Sequence, residues 1–267
     1  MSFKKRSKAK ERKVIHPYVC TPAYHGQTDS DFAQSLAETA FSCPKFGIEI
    51  TAGVLGNVGF IELARNIFVR KFLEDEELKD CTHLFFIDAD IKFHCASFIG
   101  LLLADLPVCA GVYRRRQDPE DYPFKPAENP DGGGLWFVND WLQCERVPTG
   151  FLCIRRDVLT EMVEDEQVMV TMPDQPTPVP WLFNLKHEEC STIWKGKKTV
   201  RLIGEDYSFC DKYVAKYGKM IPVWSNLDFV HHGFKGNLFD WLTKEKAKAD
   251  AGQPSNLGLP PETSSAA

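Results

Sequence analysis

No stretch of the 267-residue sequence is apolar over the length needed to cross a bilayer, so no membrane-spanning helix is expected. The opening residues, Phe3-Lys4-Lys5-Arg6-Ser7-Lys8-Ala9-Lys10-Glu11-Arg12-Lys13, lack the apolar core of a signal peptide. There is no Cys-x-x-Cys pair. Nine cysteines stand singly, at Cys20, Cys43, Cys81, Cys95, Cys109, Cys144, Cys153, Cys190 and Cys210. An odd count at irregular spacing argues for reduced, buried thiols in a cytoplasmic protein rather than a disulfide framework. His187-Glu188-Glu189-Cys190 is at most half a zinc site, because no second Cys/His pair at finger-like spacing accompanies it. Gly53, Gly56 and Gly59 form no Gly-x-Gly-x-x-Gly and lead into no Lys-Ser/Thr, so neither a dinucleotide fingerprint nor a P-loop is present. Nor is there a strong charge of one sign. A formal net charge of -5 gives no global reason to bind nucleic acid, and the basic segment Met1 to Lys13 reads first as a solvated tail and second as a contact for anionic lipid or nucleic acid.

What is present suits one folded domain. With 43% hydrophobic and 26% charged residues the chain can bury a full core, and we expect a domain over 14–244 between a basic tail, 1–13, and a frayed tail, 245–267. The stretch the rest is organised around is Thr82 to Lys92. His83 to Ile87 is a short aromatic and β-branched run, hence a buried strand, and it ends in Asp88 and Asp90. On extended backbone, residues two apart share a face, so both carboxylates could reach one hard divalent cation. Acidic pairs also cap helices or sit solvated in turns. A strand ending in carboxylates is nevertheless where open α/β sheets place ligands.

Around this stretch, strands and helices alternate. Val14 to Cys20 reads as a first strand turned by Thr21-Pro22, and Asp29 to Phe41 as a helix with Phe32 and Leu36 inward. Phe46 to Thr51 is a second strand, Phe60 to Glu74 a helix carrying the unusual pair Arg65-Asn66, Ala96 to Leu103 a helix and Pro107 to Tyr113 a strand. This alternation implies an α/β fold with a mostly parallel central sheet flanked by helices. Arg114-Arg115-Arg116 opens a Pro/Gly-rich loop where three arginines could meet a diphosphate or simply be solvated. Leu135 to Val138 and Arg146-Val147 read as flanking strands of a smaller antiparallel portion near the site. Gly150 would let backbone approach a sugar ring closely, or serve as a plain turn glycine. Residues 171–200 look irregular, with four prolines and two tryptophans, Trp181 and Trp194. Gly204-Glu205-Asp206-Tyr207 opens a helix ended by Gly218, where carboxylates are expected on dipole grounds alone. A last strand, Met220 to Trp224, precedes His231-His232-Gly233, where a histidine can supply a nitrogen ligand or simply hydrogen-bond.

The ordered set Thr21-Pro22, Arg65-Asn66, Asp88-Ala89-Asp90, Thr149-Gly150, Gly204-Glu205-Asp206 and His231-His232-Gly233 resembles the GT-A fold nucleotide-sugar glycosyltransferases over roughly residues 14–240. The resemblance implies transfer of a sugar from a UDP- or GDP-linked donor to a carbohydrate or glycoconjugate acceptor, with Mn²⁺ or Mg²⁺ on the donor diphosphate. It implies Asp90 as metal ligand with Asp88 on the ribose or the metal, and His231 as a further ligand. Thr21, Pro22, Arg65 and Gly150 would line the donor pocket. Asp206 would be the base of an inverting reaction, with Glu205 beside the acceptor; in a retaining reaction Asp206 would position the acceptor. Two rivals remain at this point: a non-catalytic binding or assembly protein on a similar fold, and a sugar-phosphate nucleotidyltransferase. The latter would show a Gly-rich basic loop that Thr21 to Gly26 lacks.

Overall fold

A computed structural model describes residues 14–172 and 175–257. In chain order these form β1 (Pro17–Ala23), α1 (Ser30–Ser42), β2 (Thr51–Gly56), α2 (Ile61–Glu74), β3 (His83–Ile87), β4 (Ile91–Phe93), α3 (Cys95–Leu103) and β5 (Val108–Ala110). Then follow β6 (Lys125–Pro126), β7 (Phe137–Val138), β8 (Trp141–Arg146), β9 (Phe151–Arg155), α4 (Arg156–Asp165), β10 (Met169–Met172) and β11 (Gln175–Pro180). The last elements are β12 (Lys186–Trp194), β13 (Lys197–Ile203), α5 (Glu205–Tyr217), β14 (Ile221–Val223), β15 (Asp228–His231), β16 (Phe234–Asn237) and α6 (Leu238–Asp250). Among the described residues no helix is long and apolar enough to cross a membrane.

The fold is α/β, built on one sheet of order β2-β1-β3-β9-β5-β14-β8-β6, with β7 added on β8. The expectation of a mostly parallel sheet is corrected. Three pairings in it are parallel and five antiparallel, because β9 inserts antiparallel between β3 and β5, and β8 returns antiparallel on β14. A smaller sheet, β16-β15-β4, lies beside its end.

Strand alternation sorts the core into two halves. Leu84 and Phe86 of β3, with Leu152 and Ile154 of β9, join a cluster containing Phe68, Phe72 and Phe209. Their neighbours Phe85, Ile87, Phe151 and Cys153 join a second cluster containing Phe32, Phe98 and Phe229. A sheet buried on both faces needs apolar residues at every position, which is why His83–Ile87 reads as a continuous run rather than an alternation. Burying each such phenylalanine contributes on the order of 2–3 kcal/mol. The central strand is thereby fixed in register, and with it the carboxylates that follow.

Several boundaries differ from the reading of the sequence. Thr21 and Pro22 do not turn the chain but extend β1 to Ala23. A proline is tolerated there because β3 stops pairing at Cys20↔Phe86, which frees the side of Pro22 that has no N–H to offer. Cys43–Phe46 is a short 3₁₀ turn closed by Gly47 in the left-handed region, so β2 starts at Thr51 rather than Phe46. On α1 the buried side chains are Phe32, Ser35 and Thr39, while Leu36 is only partly covered. Residues 171–200, expected irregular, pair as β10-β11 and β12-β13 hairpins. The C-terminal tail does not begin at 245: α6 runs to Asp250, and Glu245 is buried and accepts from the Asn256 N–H at 2.6 Å. The tails 1–13 and 258–267 lie outside the described residues.

All nine cysteines are free thiols; seven are buried, with Cys95 and Cys190 part-exposed. Burial raises the thiol pKa at Cys20, Cys144 and Cys153, so these are inert packing groups. Alkylation without reductant should therefore add nine labels in denaturant but reach only Cys95 and Cys190 in the native protein. Fewer than nine labels after unfolding, read by mass, would show a disulfide that this fold does not contain.

Candidate functional site

The site gathers where β3, β9, α2 and α5 meet. β3 ends at Ile87, and the chain turns at once, the Ile91 N–H donating to the Asp88 carbonyl at 3.2 Å. Residues 88–90 are thus a turn, not extended strand. The expectation that Asp88 and Asp90 share a face on extended backbone is corrected, because the turn sends the two carboxylates into different groups.

Asp88 belongs to the first group. Arg65 reaches in from α2, only 3% exposed, and donates from Nη2 to Asp88 Oδ1 at 3.1 Å and from Nε to Glu205 Oε1 at 3.0 Å. Its guanidinium lies 5.2 Å from the Phe86 ring centre, and Nη1 is buried without a hydrogen-bond partner. Burial works against the arginine's charge, but Asp88 and Glu205 more than offset it and hold the pKa above its ordinary value. The Tyr113 hydroxyl donates to the other Asp88 oxygen at 3.3 Å. With both oxygens engaged, Asp88 fits a role in ordering the site better than a role as metal ligand.

Gly150 makes this arrangement possible. Its carbonyl accepts from the Asp88 N–H at 3.1 Å, and a Cβ there would lie 2.4 Å from Asp88 Oδ2 and 2.3 Å from the Tyr113 hydroxyl. The close contacts that require glycine here are with this chain's own Asp88 and Tyr113 side chains.

Asp206 stands at the mouth of α5 beside this cluster. The helix is entered through Gly204 without a side-chain cap, and Asp206 Oδ1 accepts from the Tyr207 N–H at 2.7 Å. A carboxylate at a helix N-terminus normally has a lowered pKa. Here burial, and then the neighbouring Glu205 charge, outweigh that contact and push it up to about 6.

The second group forms on β15 and the arginine loop. His231 Nδ1 lies 2.8 Å from the Arg114 carbonyl, which requires Nδ1 to carry the proton and leaves the Nε2 lone pair free to accept. Arg116 donates to that lone pair from Nε at 2.7 Å and to Asp90 through its Nη2. The His232 N–H also donates to the Asp90 carbonyl at 3.2 Å, tying β15 to the turn. The Tyr113 ring packs against His231 at 4.9 Å between centres and so joins the two groups.

One carboxylate oxygen and one imidazole nitrogen therefore converge on a single cationic position, which the Arg116 guanidinium fills. Among the described residues no group of three or more His, Cys, Asp or Glu is arranged to hold a metal. The donor set of Asp90 and His231 fits a divalent ion that draws its remaining ligands from a substrate phosphate and water, as Mg²⁺ and Mn²⁺ sites commonly do. A hydrogen-bonded Nδ1 is also the usual support behind a ligating histidine.

The remaining candidates take other parts. Thr21 and Pro22 are buried near the end of β1, where they pair with Val54 and Leu55 of β2. Asn66, fully buried, donates to the Phe183 carbonyl at 2.6 Å and accepts from the Phe183 N–H at 3.0 Å, so it braces the segment after β11. Tyr113 was not singled out from sequence, since a tyrosine closing a strand reads as core, and Arg116 was marked only as one of three arginines that could meet a diphosphate. A cavity of about 520 Å³ opens between α1 and β16, lined by Ser35, Phe93, Asp228 and Asn237, and none of the site groups faces it.

No protein-family model matches this chain, and no curated protein matches it either.

Proposed function

We propose that the protein is a GT-A-like glycosyltransferase that moves a sugar from a UDP- or GDP-linked donor to an acceptor hydroxyl, with Mn²⁺ or Mg²⁺ at Asp90 and His231. The observation that carries this reading is the convergence of the Asp90 carboxylate and the His231 Nε2 lone pair on one cationic position, beside the Arg65–Asp88–Glu205 cluster and a carboxylate of raised pKa. When bound, the ion supplies charge neutralisation on a departing diphosphate.

The chain's own residues supply the rest. Arg65 is held rigid by two carboxylates and keeps Asp88 oriented where a donor's ribose or diphosphate would lie. Arg116, half exposed at the loop, is free to trade Asp90 and His231 for phosphate oxygens, which it can bind bidentately. Asp206, ionised above about pH 6 and paired to no cation among the described residues, is suited to take the acceptor's proton as its oxygen attacks in an inverting transfer.

Calorimetric titration with UDP and GDP, with and without Mn²⁺, tests the reading. Binding of one nucleotide should need the metal, and Asp90→Ala should lower metal-dependent affinity by at least tenfold. Equal binding in EDTA, or unchanged metal-dependent binding in Asp90→Ala, would remove the metal site.

A further inference from the structure

Among the described residues the hairpin β12-β13 pairs with no other strand. It is tied down at its base by the Arg146–Glu188 pair at 2.8 Å, by Lys186 on Asp211 and by buried Ile203. Beyond that base it projects, and its surface is unlike the rest of the chain. Register sets Ile193 opposite Lys198, Glu189 opposite Val200 and His187 opposite Leu202, so Ile193, Val200 and Leu202 share one face. All three are more than half exposed, as is Trp194 beside the turn. Between Glu189 and Glu205 there is no acidic residue, while Lys195, Lys197 and Lys198 crowd the tip of a chain whose net charge is -5, and Arg201 stands nearer the base opposite Glu188. Only Lys198 among them meets a carboxylate, Glu189 at 3.7 Å, among the described residues.

The turn adds an independent sign. Lys195 and Gly196 both have positive φ, 50° and 76°, as a tight two-residue hairpin loop demands. Asparagine or aspartate before the glycine is the residue such turns favour, so turn chemistry does not account for a lysine there. Its ammonium group lies 4.6 Å from the Trp194 ring centre, which sets charge and aromatic ring side by side at the outermost point.

We propose that this hairpin is a docking arm for an anionic lipid surface, with Trp194 and Ile193 at the headgroup boundary and the tip lysines on lipid phosphates. Tryptophan favours that boundary, and each nearby lysine adds electrostatic attraction to acidic lipids. A second copy of the chain is disfavoured because it would bring two cationic tips together. Single-stranded nucleic acid is disfavoured because the hairpin offers a single ring, Trp194, while Ile193, Val200 and Leu202 are aliphatic and give successive bases nothing to stack on. β13 runs from the tip straight into Gly204, so docking would hold the mouth of α5 within about 25 Å of the bilayer. The proposal does not depend on the glycosyl-transfer reading.

The test is flotation of the full chain with vesicles of phosphatidylcholine alone and of equal parts phosphatidylcholine and phosphatidylglycerol. The protein should bind only the acidic vesicles. Replacing Lys195, Lys197 and Lys198 together by alanine should lower partition by on the order of 100-fold. Trp194→Ser with Ile193→Ser should lower it at unchanged charge, and neither variant touches the packed core. No binding to acidic vesicles, equal binding to neutral ones, or retention by the lysine variant, as attachment through the basic N-terminal segment would give, overturns the proposal. So does a concentration-dependent dimer abolished by Ile193→Ser, or an oligonucleotide competing the protein off vesicles only through Trp194.

Discussion

Asp206→Asn is expected to reduce turnover by roughly 10²-fold or more while leaving nucleotide affinity near wild type, since the substitution keeps shape and removes only the proton acceptor. If the proposed transfer holds, the wild-type protein should show the same group in its pH profile. A base must be ionised to act, and burial followed by Glu205 raises this carboxyl to about 6, so kcat/KM should fall tenfold per pH unit below that value. Stability should move the other way. Because the folded pKa exceeds the unfolded one, the stabilising protonated form is fully present only below the ordinary aspartate range and is lost as pH rises through about 6. Ionised Asp206 therefore costs up to about 3 kcal/mol at neutral pH. Asn at this position should raise denaturation stability at pH 8 and make no difference near pH 3. A residue acting only as a first-turn partner for the Tyr207 N–H would show the opposite: little change in turnover and a small loss of stability. Assays with a verified acceptor, combined with urea titrations at the two pH values, separate these outcomes.

Arg65→Met should be the most damaging single change to the fold around the site. Arg65 is buried and is the cation bonded to both Asp88 and Glu205, so removing it leaves two carboxylates facing each other in a half-closed environment. Breaking such a pair typically costs about 3–5 kcal/mol, because the remaining charges lose their partner without regaining water. Glu205→Gln should recover part of the loss in the double variant by relieving the repulsion, and urea denaturation of the four proteins in the cycle measures that coupling. A loss under about 1 kcal/mol in Arg65→Met would mean that solvent already screens the cluster as it screens surface pairs.

Elements whose signals are local were legible without the structure. β3 was marked by its continuous apolar run, which a strand buried on both faces requires. α5 was marked at both ends, by the acidic first turn after Gly204 and by Gly218, whose left-handed backbone (φ 60°) ends the helix. The β10-β11 hairpin was missed because prolines at 173, 176, 178 and 180 argue against strands. The β10-β11 hairpin nevertheless pairs only with itself and tolerates prolines along its open edges.

The amino-acid sequence by itself determined that this is an α/β chain with reduced cysteines and with carboxylates at the end of its central strand. It also named the residue types of the site: Arg65, Asp88, Asp90, Gly150, Glu205, Asp206 and His231. Which of these touch was decided only in three dimensions. Arg65 and Glu205 are 140 positions apart and Arg116 and His231 are 115 apart, and no local pattern encodes those contacts. They exist because β9 threads antiparallel between β3 and β5, bringing Gly150 under Asp88 and Tyr113 onto it. The turn after Ile87 likewise parted Asp88 from Asp90, because the backbone leaves extended geometry where β3 stops pairing and the alternation of side chains stops with it.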